Sequence, residues 1–436
     1  MTDIDLELLT NARYMSLMSS PASPQAKALV EDVITTITNI EKRKKARRAK
    51  DLSTFKNGVG LILGDLLTAA LSKEPRLSYH AMSPAAFTGG PIGFKTFNHI
   101  MNAMIEAGLI EEAVGRNFKD FVFNEGAKQT YRPGLATRWW PTEALLCRAS
   151  EAGLTEETIN KDFIHQLPKK VIEVRGKSKN IRGNKIRGPR LKTNHNEISK
   201  QMEGDLLELN SFLASFELDG AIFSGFRRIF CNGDVEGFNF QWGGRLYGVG
   251  DHNYQSLKSE ERRKIKVNGD NLVEIDINAS YLTILYGLYG FPLPAREDIY
   301  KIEGLQREIA KAWITATLGH SGFHSKWPKE ASKELRNAGI VRPKKMTMTS
   351  LQPLILDYFP VLTDWNNCNY RWPELMYIES EIVIGTMLEL MRSYSIPCYS
   401  VHDSIIVRKK DQITATEVLK NQFLDKVNIE PRLKIK

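Results

Sequence analysis

At 436 residues the chain is too long for one small module, and at ~150 residues per domain it has room for two or three. With 42% apolar and 25% charged residues it is not a disordered chain, and no apolar run approaches the ~20 residues that cross a bilayer. Lys and Arg (60) outnumber Asp and Glu (51) for a net charge of +9.

The first residues, MTDIDLELLT, open with acids and lack a basic patch followed by a greasy stretch, so a cytoplasmic setting is expected. Cys147, Cys231, Cys368 and Cys398 lie far apart with no C-x-x-C spacing, so they read as reduced thiols and not as a zinc ribbon. Residues 42–50 (KRKKARRAK) carry seven positive charges in nine positions, and residues 169–192 carry ten against the lone Glu173. One such run suits a solvated helix face or a tether as well as a polyanion; two favour nucleic acid.

In chain order, apolar residues at helical spacing mark 59–71, a Ser-Pro start opens a short segment at 83–87, and Phe94, Phe97, Ile100, Met101, Met104 and Ile105 form one stripe over 93–107. Strand-like text follows: LIEEAV stops at Gly115-Arg116-Asn117, FKDFVF alternates, and ATRWW comes after a Gly-Pro turn, which predicts a hairpin. Helix, helix, helix, hairpin is the order of a winged helix-turn-helix, and 83–140 resembles that family. The resemblance implies a third helix in the DNA major groove showing Lys95, Thr96, Asn98, His99 and Asn102 to the bases, with Arg116, Lys119 and Arg138 near the hairpin. Winged helices also dock proteins, and the same polar face suits any solvated helix. Two phosphate-loop lookalikes fail: Phe94 stands where an amide cradle before Lys95 needs glycine, and the glycines at 58, 60 and 64 do not follow a strand.

Residues 169–200 mix Gly, Asn, Pro and basic side chains without an apolar period and read as a linker. The expected organisation is a helical, winged-helix DNA-binding domain over 1–160, a basic linker over 161–204 and a catalytic domain over 205–436.

Three places in that last part hold charge in unusual company. Asp276 ends a strand-like run (Leu272, Val273, Ile275) and precedes a helical pattern. His402 and Asp403 interrupt two β-type runs, 398–401 and 405–407, as a tight hairpin turn does. Between them, LQREIAKAWITATLGH is a helix with Arg307 and Lys311 at i, i+4, so both cations share one face. A carboxylate at a buried strand end is costly unless something cationic meets it. Either segment alone also suits an ordinary solvated strand end. Two such aspartates, with basic residues between, are what two-metal phosphoryl transfer requires.

Together these residues resemble the superfamily of bacterial DNA polymerase I and the single-subunit phage-type RNA polymerases. Asp276 is similar to the aspartate of motif A, Arg307 to Gly319 to the R-x-x-x-K helix of motif B, and Val401-His402-Asp403-Ser404 to motif C. Gln241-Trp-Gly-Gly-Arg245-Leu-Tyr247 is similar to the D-x-x-G-R-x-Y segment of the RNA polymerases. Departures are Leu318-Gly319 where motif B closes with Tyr-Gly, Gln241 for the Asp, and Ser404 where DNA polymerase I has Glu.

The resemblance implies an α+β right-hand catalytic domain with palm and fingers, in which Asp276 and Asp403 bind Mg²⁺ or Mn²⁺ and Arg307 and Lys311 hold the triphosphate. Arg245, Tyr247 and His402 then meet nucleic acid, and Tyr281, five residues after Asp276, bars the ribose 2′-hydroxyl. DNA synthesis from dNTPs on a primer and template, for a phage, plasmid or similar element, is the expectation. An RNA polymerase or primase using NTPs, and a DNA-binding initiator or regulator without catalysis, are the alternatives. Glu379 and Ser380 lie on the polar side of a helix leading to motif C and are weaker candidates for template contact.

Overall fold

Ser23 starts the first long helix. Its Oγ accepts from the Ala26 amide at 3.0 Å, and Pro24 takes the first helical position of α1 (Pro24–Ile40). The computed structural model describes residues 6–41, 45–87, 90–115, 121–122, 130–131, 135–181, 184–221, 223–249 and 253–436. The chain falls into two units of mixed α and β structure, 1–170 with 248–256, and 171–247 with 257–436. No helix among the described residues is long and apolar enough to cross a membrane.

In the first unit α2 (Ala49–Ala70) covers all but the last residue of the predicted 59–71 helix and buries Val59, Ile62, Leu63, Leu66 and Leu67 completely. Gly64 lets a neighbouring strand come close, since a Cβ there would lie 2.5 Å from the Ser19 carbonyl oxygen. Beside it the buried Asp65 carboxylate accepts from the Leu17 amide and the Ser19 hydroxyl, each at 2.6 Å. Burial pushes its pKa up to about 6.

The stripe over 93–107 becomes α3 (Phe94–Glu106), with Phe97, Ile100, Met101 and Met104 inward. Four short strands, β1 (Arg13–Tyr14), β2 (Ser78–Tyr79), β3 (Ile110–Ala113) and β4 (Arg138–Pro141), form a sheet in the order β1-β2-β4-β3. Only β1 and β2 run parallel. Residues 83–87 supply one 3₁₀ turn, Pro84–Phe87. Arg116 and Lys119 lie outside the described residues. Arg138 does not face a groove: it is buried, donates to the Leu9 and Ala136 carbonyls at 2.9 and 2.7 Å, and lies over the Tyr79 ring.

The stretch read as a linker is folded. After α4 (Glu143–Glu151) it holds β5 (Ile172–Arg175), the hairpin Lys179–Ile181 with Asn184–Ile186, β6 (Arg190–Leu191) and the start of α5 (Glu197–Leu213). Val171, Ile172 and Val174 are buried, and the Glu173 carboxylate takes up two of the cations, Arg175 at 2.7 Å and Arg190 at 2.8 Å. The basic residues masked a short inward-facing strand and made the whole stretch look solvated. With β7 (Phe226–Phe230) and β8 (Gly243–Gly248) these strands make a sheet in the order β6-β5-β7-β8. Gly243 and Gly244 have φ of +84° and +81°, conformations that a side chain resists.

The second sheet positions the candidate site. Its centre is β9 (Asp270–Ile277), followed by α6 (Ser280–Leu288), α7 (Arg307–Leu318) and α8 (Trp372–Tyr394). The strands β10 (Cys398–Val401) and β11 (Ser404–Arg408), α9 (Gln412–Val427) and β12 (Leu433–Ile435) complete it. The short strands Leu218–Asp219 and Lys266–Val267 extend it beyond β9, giving the order Leu218–Asp219, Lys266–Val267, β9, β11, β10 with β12 also on β9, and all these pairings are antiparallel. Ile275, Ile405 and Val407 have no exposure, so the register is fixed by apolar burial on both strands.

Candidate active site

The register that buries Ile275 and Ile405 sets Asp276 opposite Ser404, and the Ile277 amide donates to the Asp403 carbonyl at 3.2 Å. Asp403 is one of the two residues turning β10 into β11, and its neighbour His402 has φ 55°, a left-handed conformation costly for a side chain. The two aspartates, 127 positions apart in sequence, thus stand at neighbouring strand ends. The Asp403 carboxyl is held above its ordinary pKa, first by burial and then by the charge of Asp276. His402 is exposed at the turn tip.

Behind the pair lies a buried cluster that the sequence concealed. Arg245, from β8, donates to Glu379 Oε1 of α8 through Nε at 2.8 Å and Nη2 at 2.5 Å. Glu379 is 1% exposed. Burial and Asp403 push its pKa up to about 7 against the pull of Arg245. The Arg245 guanidinium also lies 5.6 Å from the centre of the Tyr281 ring. Burial, then Glu379, raise the Tyr281 pKa, with Asp403 and Tyr247 adding to them. The next two residues of α8 grip the same sheet: Ser380 Oγ donates to the Gly243 carbonyl at 3.2 Å, and Glu381 meets the buried Arg228 at 2.5 Å. Arg245 is therefore committed to Glu379 and Tyr281 and does not project freely toward a nucleic acid. Glu379 and Ser380 likewise face the protein interior.

On α7, Arg307 is paired with Asp298 and lies 5.7 Å from the Tyr300 ring centre, and Lys311 is exposed one turn on. Burial works against the Asp298 charge, yet Arg307, the Tyr300 amide at 3.0 Å and Lys311 hold its pKa below the ordinary value. The Tyr300 pKa is pushed up to about 12 by burial, with Asp403 and Asp298 adding to it and Arg307 opposing. Asp298 and Tyr300 lie in an irregular segment where no periodicity marks them.

Among the described residues Asp276 is ion-paired with the Lys436 ammonium, at 3.0 Å. Among the described residues no group of three or more His, Cys, Asp or Glu side chains is arranged around one metal position. Two carboxylates whose charges oppose each other nevertheless fit a hard cation, since Mg²⁺ is commonly bound by one or two carboxylates plus water and substrate phosphate.

In the first unit Lys95 and Asn102 are exposed and Asn98 is half-buried on α3. His99, on the same face, is engaged: its Nε2 lies 2.5 Å from Glu41 Oε1 and 3.0 Å from Arg47 Nη2. All four cysteines are free thiols.

No protein-family model matches the chain, and no curated protein is similar to it. Among solved structures it is similar to the POL domain of Pol1 from M. smegmatis in complex with DNA primer-template and dNTP, with a TM-score of 0.30 and 11% identity over 98% of this chain and 67% of that one. A likeness at that level settles neither fold nor function.

Proposed function

We propose that the chain is a template-directed nucleotidyltransferase that extends a DNA primer with dNTPs. The observation that carries this reading is the meeting of Asp276 and Asp403 at neighbouring strand ends, where the charge of one raises the pKa of the other. Asp276 and Asp403 would hold Mg²⁺, with Mn²⁺ as a substitute, and the bound ions would supply activation of the 3′-hydroxyl and charge neutralisation at the pyrophosphate. Arg307 exchanges Asp298 for the triphosphate, and Lys311, one turn on, adds a second cation. Tyr281, backed by Arg245 and Glu379, presents a ring braced against movement, which suits exclusion of a ribose 2′-hydroxyl. The antiparallel sheet of β9, β10 and β11 serves as palm and α7 as fingers.

For the first unit the reading is a winged-helix DNA reader. Its support is the chain order α2, β2, 3₁₀ turn, α3, β3, β4, with the antiparallel pair β3 and β4 following α3 and β2 on the other side of β4, together with exposed Lys95 and Asn102. His99 then orients the basic segment through Glu41 and Arg47, and contact with phosphate falls to that segment.

Primer extension with labelled dNTPs or NTPs and Mg²⁺ tests the function. Incorporation of dNTPs that Asp276→Asn abolishes is the expected result. Preference for NTPs points to an RNA polymerase or primase. No incorporation of either, with DNA binding intact, refutes the reading and leaves a non-catalytic regulator.

A further inference from the structure

Strand β12 does more than extend the sheet. Beyond Ile435 the pairing continues, with the Lys436 amide donating to the Glu274 carbonyl at 2.9 Å and the Glu274 amide to the Lys436 carbonyl at 3.2 Å. The backbone of Lys436 is thus fixed opposite Glu274, and its side chain runs along the face of β9 that bears Glu274 and Asp276, two positions apart. Its Nζ stands 3.0 Å from Asp276 and 3.8 Å from Glu274. Glu274 is buried and already supplied: Arg262 Nη2 lies at 3.1 Å and the Ser404 hydroxyl at 3.2 Å. Asp276 has no other ion-pair partner among the described residues, so Lys436 is its cation.

We propose that Lys436 is a tethered competitor for Asp276 and sets the concentration of divalent cation at which the site fills. The proposal rests on the reading of Asp276 and Asp403 as cation ligands. An ammonium ion-paired to the Asp276 carboxylate and a divalent cation on the same oxygens repel each other, so the divalent ion binds at the cost of that ion pair. The lysine can yield without unzipping β12, because its side chain is 31% exposed and its four-carbon stem can swing to water while the backbone pairing stays.

Mn²⁺ binding to the full chain, followed by the loss of the free-ion EPR signal in the absence of nucleotide, tests this. Lys436→Met is expected to bind Mn²⁺ about tenfold tighter than the unmodified protein, and Lys436→Arg, which keeps the charge, to bind like the unmodified protein. Equal or weaker binding by Lys436→Met overturns the proposal, as does Lys436→Arg binding as tightly as Lys436→Met. If none of the three binds Mn²⁺, and Asp276→Asn is no different, the assignment of the aspartates as ligands fails, an outcome distinct from equal affinities.

Discussion

Replacing Asp403 by Asn keeps the shape of the turn and removes one charge of a like-charged pair at the ends of β9 and β11. Unit charges ~6 Å apart at an effective dielectric of ~20 interact by roughly 3 kcal/mol, the order of repulsion open to carboxylates at neighbouring strand ends. Arg245 and water offset much of this, since Asp276 is 26% exposed, which leaves about 1 kcal/mol. Without divalent cations Asp403→Asn should therefore melt higher than the unmodified protein, by about 2–4 °C for a unit of this size. Excess Mg²⁺ should raise the melting temperature of the unmodified protein, because ligand at ~10 times its Kd contributes about 1.4 kcal/mol, and should leave the variant nearly unmoved. Scanning calorimetry in EDTA and then in Mg²⁺, beside a primer-extension gel, reads all three effects. A variant that melts lower in EDTA, or that gains as much from Mg²⁺ as its parent, refutes the electrostatic account of the site even if activity is lost.

Other consequences are equally open to measurement. Glu379→Ala leaves Arg245 buried without its carboxylate and should cost about 3–5 kcal/mol in urea unfolding, whereas Glu379→Gln keeps an acceptor and should cost less than half of that. Equal losses would show that the lost charge accounts for the whole cost and the retained acceptor for none of it. Asp65, with a folded pKa of about 6 against an ordinary 3.8, holds its proton more tightly when folded, so its contribution is greatest below pH 3.8 and is lost as pH rises through about 6. The stability of the unmodified protein relative to Asp65→Asn should fall by about 3 kcal/mol between those limits, and a pH-independent difference would count against burial as the cause. Gly64→Ala should destabilise by about 1–3 kcal/mol despite alanine's better helix propensity, because its Cβ meets the Ser19 carbonyl. A gain in melting temperature would mean that Ser19 gives way freely.

The aspartates were legible because a carboxylate that ends a β-branched run stands out against its neighbours. Arg307 and Lys311 were legible through their helical spacing. The fold was readable where apolar period was undiluted, as in α2 and α3, and misread where basic residues overlay it, as in β5, whose inward Ile172 and Val174 alternate with Glu173 and Arg175. Glu379 was hidden for another reason. A charged residue on an amphipathic helix is usually solvated, and the partner that makes its burial tolerable, Arg245, lies 134 positions away. Lys436 likewise acquires meaning only from the pairing of β12 with β9.

Pairing off the charges shows where a cation has most to offer. Glu379 is matched by Arg245, Asp276 by Lys436, Glu274 by Arg262 and Asp298 by Arg307. Asp403 alone of these carboxylates has no cation within ion-pair distance among the described residues, and burial and Asp276 both hold its pKa above the ordinary value. A protein that only needed a stable turn there would gain by exchanging it for a neutral residue. The left-handed His402 turn instead keeps that carboxylate where burial penalises it, which is the arrangement expected when the missing charge is supplied by a bound ion.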